Sequence, residues 1–293
     1  MHIPVLLHDT VSVLALRSDS VLIDCTLGGG GHAREALKII GPEGVYVGID
    51  IDPKAIEAQA ALTEHKAQVH LVNDSFTNIK QIVTNLNITP NVILADLGWR
   101  SEQFDGGGKG FSFSQDEPLL MTFGDPAKHV FTAHDIVNEW NEDSLIDIIK
   151  GYGEERFAGR IAKAIVKSRE EGEIKTSKQL EEIIYQAVPS FTRHGRIHPA
   201  TRTFQAIRIA VNDELGALKT LLQDGFECLA PSGRLAIISF HSLEDRIVKQ
   251  FFNQLIHDQK ALKLIKKPII ANEDERKENP RSRSAKLRVI EKI

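Results

Sequence analysis

The sequence predicts an α/β fold, a doubly wound parallel sheet interrupted by an inserted helical domain. Three observations carry that expectation. Short apolar runs alternate with helical spacing over residues 1–98. A stretch rich in Gly, Ser and Phe then opens a region of helical patterns without strands. The alternation resumes at about residue 209. Strands that alternate with helices imply βαβ units and a parallel sheet.

The elements follow in order. Val21 to Cys25 is an apolar run, closed by the glycines 28–31. His32 to Ile40 has helical spacing, with Ala33, Ala36, Leu37 and Ile40 apolar. A Gly-Pro-Glu-Gly turn leads to a second strand, Val45 to Ile49, ending at Asp50. Pro53 suits the first turn of the next helix, which is alanine-rich through Leu62. A third strand, Gln68–Val72, a helix, Ile79–Leu86, and a fourth strand, Val92–Ala95 ending at Asp96, complete the first half. Residues 99–208 form the expected insertion, with helices near Ser144–Lys150 and Arg156–Arg169. The core resumes over 209–293. There a long helix, Asn212–Leu229, precedes a strand, Arg234–Phe240, and a helix, Leu243–Ile256. Lys263–Ile265 and Lys286–Ile290 read as closing strands.

Composition narrows the class. The 293 residues are 42% hydrophobic and 26% charged, which supports a packed core and excludes global disorder. No apolar run is long enough to span a bilayer, and the N-terminus lacks the regions of a signal peptide. A cytoplasmic protein that does not engage membranes is expected. Cys25 and Cys228 sit in apolar contexts and read as core residues. No Cys/His spacing supports zinc, and nothing in the sequence calls for a magnesium site, so no metal ligand is assigned. The formal net charge is −4, yet residues 192–211 hold four arginines, two histidines and no acid. Residues 276–293 hold seven Lys/Arg against Glu278 and Glu291. Local basic surface on an acidic chain suits a selective nucleic-acid binder, although solvated basic stretches read the same way.

The first strand, glycine turn and helix can cradle a nucleotide-like cofactor, because glycine lets the backbone approach where a Cβ would clash. Asp50 lies 20 residues after Gly30 and can accept from ribose hydroxyls. Asp52 competes to cap the helix at Pro53, which leaves Asp50 to the ligand. Gly28, Gly30 and Ala33 loosely meet the dinucleotide spacing, so a nicotinamide-dependent oxidoreductase is one rival. S-adenosylmethionine fits better. Asn73-Asp74-Ser75-Phe76 after the third strand can bond and stack on adenine, the other reading of Phe76 being core.

Longer strings carry a closer resemblance. They include His2-Ile3-Pro4-Val5-Leu6-Leu7, Asp24-Cys25-Thr26-Leu27 with Gly28 to His32, and Asp50-Ile51-Asp52-Pro53. Gly110-Phe111-Ser112-Phe113, Tyr152 to Arg156, His198 to Ala206, Ser239 to Arg246 and Asn279 to Arg288 continue the series. Along nearly its whole length the chain resembles the bacterial 16S ribosomal RNA cytosine-N4 methyltransferases of the MraW type. The resemblance implies a class I (Rossmann-like) methyltransferase core with an inserted helical, substrate-recognising domain. It also implies S-adenosylmethionine as donor. The implied substrate is a cytidine in the decoding region (P site) of 16S ribosomal RNA, within the small ribosomal subunit. A homodimer is compatible with it. By resemblance the donor site comprises Gly30, Gly31, His32, Asp50, Phe76, Asp96 and Gln103.

Two segments depart from the family pattern. After the fourth strand the usual D-L-G-V-S-S-x-Q-L-D is Asp96-Leu97-Gly98-Trp99-Arg100-Ser101-Glu102-Gln103-Phe104-Asp105 here. Further on, an acid and an arginine are replaced by Leu120 and Thr122. These departures support a second rival, a non-catalytic RNA-binding assembly factor on the same fold.

The chemistry needs an acceptor that holds the cytosine amine, whose lone pair is delocalised, in line with the methyl group. Asp96 is the candidate catalytic residue, its other reading being contact with the donor's amino group. Trp99 either catches the target base or packs under the insertion. His198, Arg202, Ser239 and His241 are candidates to hold phosphates or the target ribose, and Arg281 and Arg283 to bind RNA through the basic tail.

Overall fold

The computed structural model describes residues 3–98, 108–193, 195 and 197–293. Two compact units emerge, Met1–Gly98 with Leu215–Ile293, and Trp99–Glu214. The sequence placed the return to the core at residue 209; the units part six residues later.

The first unit holds the sheet. Its strands are β1 Val21–Asp24, β2 Val45–Asp50, β3 Gln68–Asn73, β4 Val92–Asp96, β5 Arg234–Ser239, β6 Ala261–Lys263 and β7 Lys286–Lys292. They lie in the order β3-β2-β1-β4-β5-β7-β6. The first five pair in parallel. β7 runs antiparallel to both β5 and β6.

In chain order the helices are α1 Leu7–Leu14, α2 Gly31–Leu37, α3 Pro53–Ala58 and α4 Ile79–Leu86. The second unit contributes α5 Ala133–Glu139, α6 Glu142–Gly151, α7 Ala158–Glu171, α8 Ser177–Ala187 and α9 Thr201–Asn212. Then come α10 Glu214–Cys228, α11 Ser242–His257 and α12 Glu273–Glu278. No helix among the described residues is long and apolar enough to cross a membrane.

Alternation along the strands divides the core. Ile23, Val47, Ile93 and Ile237 point to the face covered by α4, α10 and α11. Leu22, Tyr46, Leu94 and Ala236 point to the face covered by α1 and α2. Because both faces are covered, the strands read as unbroken apolar runs. The second unit has its own core, built from Ile136, Leu145, Ile149, Ile161, Ile165, Leu180 and Ile184 of its helices, with Phe204 and Ile207 of α9.

The structure redraws several expected elements. The alanine-rich helix stops at Ala58, where Gln59 leaves helical geometry (φ −107°, ψ 10°), and a 3₁₀ turn, Ala60–Glu64, takes over. The long helix expected from Asn212 is broken at Asp213, whose φ of +45° ends α9. β6 precedes its expected place, and the segment after it returns to β7 by a bridge from Ile269 to Leu287. Cys228 is half-buried, not a core residue.

Candidate active site

The carboxyl ends of three neighbouring strands, β2, β1 and β4, each present an aspartate: Asp50, Asp24 and Asp96. Ligands of open α/β sheets bind at that edge, where the strand order reverses.

Asp50 is engaged on both oxygens. Its Oδ2 accepts from the Gly28 N–H at 2.9 Å and its Oδ1 from the Asp52 N–H at 2.9 Å. The Asn73 amide donates to its carbonyl at 2.9 Å. Asp52 caps α3 by accepting from the Lys54 N–H, as its position suggests. Asp50 therefore shapes the glycine turn as well as facing the ligand edge. A carboxylate offers about four lone-pair sites, so a ribose hydroxyl can add to these bonds.

Gly30 has φ +67°, which strains any other residue, and a Cβ there would strike Gln59. At Gly31 a Cβ would strike the Pro4 ring. The N-terminal segment is thus part of the loop's support. Its Leu6 N–H donates to Glu275 Oε1 at 2.6 Å, and Asn279 donates to the Ile3 carbonyl at 3.0 Å. Phe76 opens a 3₁₀ turn capped by Ser75 and packs partly against the α4 face of the core.

Asp24 is the residue that sequence reasoning missed. It is buried, accepting from the Tyr46 hydroxyl at 2.9 Å and the Thr26 N–H at 3.1 Å. Burial pushes its carboxyl up to about 6, against the lowering effect of those donors. Its signal was the D-x-T string beside the glycines. Thr26 also ties β1 to the next acid, its Oγ1 accepting the Asp96 N–H at 2.7 Å.

Asp96 lies with its side chain 19% exposed, and its Oδ1 is buried without a partner among the described residues. Burial, then the nearby Asp24 and Glu244 carboxylates, push its carboxyl well above the ordinary range. His32 Nε2 sits 3.2 Å from the Val5 carbonyl, which can only accept, so that nitrogen carries the proton. In the neutral ring Nδ1 is then an acceptor, 3.9 Å from Asp96 Oδ2.

Ser239 is buried and within 3.5 Å of the Lys286 carbonyl. His241 caps α11, its Nδ1 accepting the Glu244 N–H at 3.4 Å, while Glu244 accepts in return from the His241 N–H. In the second unit His198 stacks on Phe113 at 4.6 Å and lies 3.3 Å from Glu181. Arg202, 47% exposed, faces Glu155 at 3.8 Å. Arg281 has a buried Nη1 without a partner among the described residues, and Arg283 is exposed. Trp99, Arg100 and Gln103 lie outside the described residues. Of the family departures inside them, Thr122 is buried with its hydroxyl unpartnered among those residues, and Leu120 is half-buried.

A glycine turn, strand-end acids and an antiparallel strand set between the fifth and sixth define a class I methyltransferase, the fold that takes S-adenosylmethionine as methyl donor. The donor set fits that cofactor: the unpartnered Asp96 oxygen calls for a polar ligand, and three acids suit a cationic one. The MraW methylase family matches residues 1–293, and the chain belongs to it. Ribosomal RNA small subunit methyltransferase H of Acetivibrio thermocellus is 46% identical over 311 residues, covering 100% of this chain and 99% of that protein. The protein of the same name from Clostridioides difficile is 42% identical, with the same coverage. A solved rRNA methylase structure from Streptococcus thermophilus aligns over 100% of this chain and 99% of that one, with a TM-score of 0.47 and 11% identity.

Proposed function

We propose that the chain methylates the exocyclic N4 amine of a cytidine in the decoding region (P site) of 16S ribosomal RNA, using S-adenosylmethionine. The names of the relatives support the class of substrate, and the family strings support the amine. The observation that carries the chemistry is Asp96, an acid at the carboxyl end of β4 with a buried oxygen that no described residue satisfies.

S-adenosylmethionine supplies an electrophilic methyl group on a positively charged sulfur. Asp96 accepts one N–H of the amine, which turns the nitrogen lone pair toward that methyl and holds it in line. A positive charge nearby draws the Asp96 proton off, against the burial that retains it. After transfer Asp96 receives the proton that the amine must lose. Asp50 and the glycine turn bind the nucleoside end of the donor, and Phe76 flanks its adenine.

The inserted domain reads RNA on this proposal. Phe191 is 75% exposed, with the Arg156 guanidinium 5.8 Å from its ring, and Arg193 lies over Tyr185 at 5.0 Å. An exposed ring with an arginine beside it is what unstacked bases settle on. Trp99, outside the described residues, extends this reading as the ring that catches the target base.

The test incubates the protein with labelled donor and unmodified small subunits, then maps the label by nuclease digestion and mass spectrometry. One methyl on one cytidine amine is expected. Label on another base, or none, overturns the proposal.

A further inference from the structure

We infer that the first unit carries a second RNA contact, a phosphodiester-binding cleft between α11 and the β6–β7 edge of the sheet. This inference rests on the RNA-methylating reading and locates where that unit grips the strand. The cleft has a volume of about 110 Å³ and is lined by Lys249, Lys263, Lys266, Lys267 and Arg288. No acidic side chain among the described residues lines it. That is five cations around one hollow on a chain whose net charge is −4.

The placement follows from the elements. Lys249, Phe252, Asn253 and Ile256 are spaced i, i+3, i+4 and i+7, so one face of α11 forms a wall. β6 and the segment after it form the opposite wall with Lys263, Lys266 and Lys267. Phe252 and Ile265 give an apolar lining against which a ribose can lie.

All four lysines are exposed, and none makes an ion pair among the described residues. Arg288 is held at 2.7 Å by Asp245, which also holds Lys286 at 2.9 Å. Lys286 and Arg288 alternate onto the same face of β7, and Lys286 pairs in register with Ser239, where β5 ends. Arg288 and Lys286, which share Asp245, thus step from the cleft toward the carboxyl edge that carries Asp96.

Hydrated lysines on flexible stems suit phosphate as a point charge, not the reading of base edges. The hollow admits a phosphate group. Its contribution is thus sequence-independent and salt-sensitive.

The experiment compares the full chain with the double variant Lys266→Glu, Lys267→Glu. The probe is a short single-stranded fragment of small-subunit RNA, titrated across salt concentrations, with inorganic phosphate at matched ionic strength as a second arm. The variant should bind RNA at least ten-fold more weakly. The slope of log affinity against log salt should shrink by about 0.7 for each phosphate that the cleft no longer neutralises. Donor binding by calorimetry and melting temperature should match the unaltered chain.

If the unaltered chain binds RNA and the variant matches it in affinity and slope, the cleft is no RNA site and the lysines only shield an edge strand. If inorganic phosphate displaces RNA and binds the unaltered chain as tightly as RNA does, the ligand is a free anion and the assignment fails. If the unaltered chain binds no RNA at all, the function proposed above fails first and takes the cleft with it.

Discussion

Asp50 carries two backbone amides as well as the expected ligand contact, so its removal acts twice. Asp50→Ala should lose a hydrogen bond to a charged acceptor, worth roughly 1.5–3 kcal/mol, and loosen the Gly28 turn. Donor affinity should fall at least ten-fold by calorimetry. An unchanged affinity would remove Asp50 from the site. Asp24 makes a different prediction. Unfolded, its carboxyl titrates near 3.8, and folded near 6. Between those values the folded chain keeps a proton that the unfolded chain has lost, so stability falls as pH rises through the window. A shift of about two units corresponds to about 3 kcal/mol. Asp24→Asn cannot ionise. Its unfolding free energy, set against the unaltered chain, should therefore improve from about pH 4 to about pH 7. A difference between the two chains that stays flat with pH would show that Asp24 is not held protonated.

At the scale of elements, an ion pair ties α9 to the first residue of α10. Arg208 is buried and clasps Glu214 with two bonds, of 2.6 and 2.8 Å. It therefore does not belong to the basic surface that its neighbours in sequence suggested. Glu214→Ala removes two hydrogen bonds to a buried charged group, worth roughly 1.5–3 kcal/mol each, and should cost at least about 2 kcal/mol in chemical denaturation. A loss below about 1 kcal/mol, the range of an exposed pair, would show that solvent already screens it. Arg208 illustrates what the sequence could not reveal, since an arginine on a helix looks the same whether its partner is water or Glu214. His241 is a second case. Histidine is an uncommon cap, so its exchange of bonds with Glu244 had no motif to announce it. The parallel strands were legible for the opposite reason: burial on both faces leaves an apolar run, and each relevant strand ends on an acid at the cofactor edge. Asp24 escaped notice because it sits at the end of such a run and resembles a simple terminator. The order of β6 and β7 was illegible, because antiparallel pairing is a long-range choice that no local pattern records.

For the whole molecule, the charge pattern and the exposed ring of the second unit make a joint prediction. Phe191→Ala should weaken RNA binding, since a base–ring stack is worth roughly 1–3 kcal/mol. Because the ring is exposed, the substitution should leave the melting temperature and donor affinity unchanged. Retained RNA affinity in a stable variant would remove the ring from the RNA surface.

β7 has a bearing on time. It follows β6 in the chain yet lies between β6 and β5, bonded to both. During synthesis β5 therefore waits with an open edge until residues 286–292 are made, while β6 has no strand to join. Such an edge invites other chains. A nascent chain released before that point should be aggregation-prone even though the donor loop, strands β1 to β4 and the inserted domain have all been translated. Hydrogen-exchange labelling of refolding chains would test the sequence of events, with the amides of β6 expected to gain protection no earlier than those of β7.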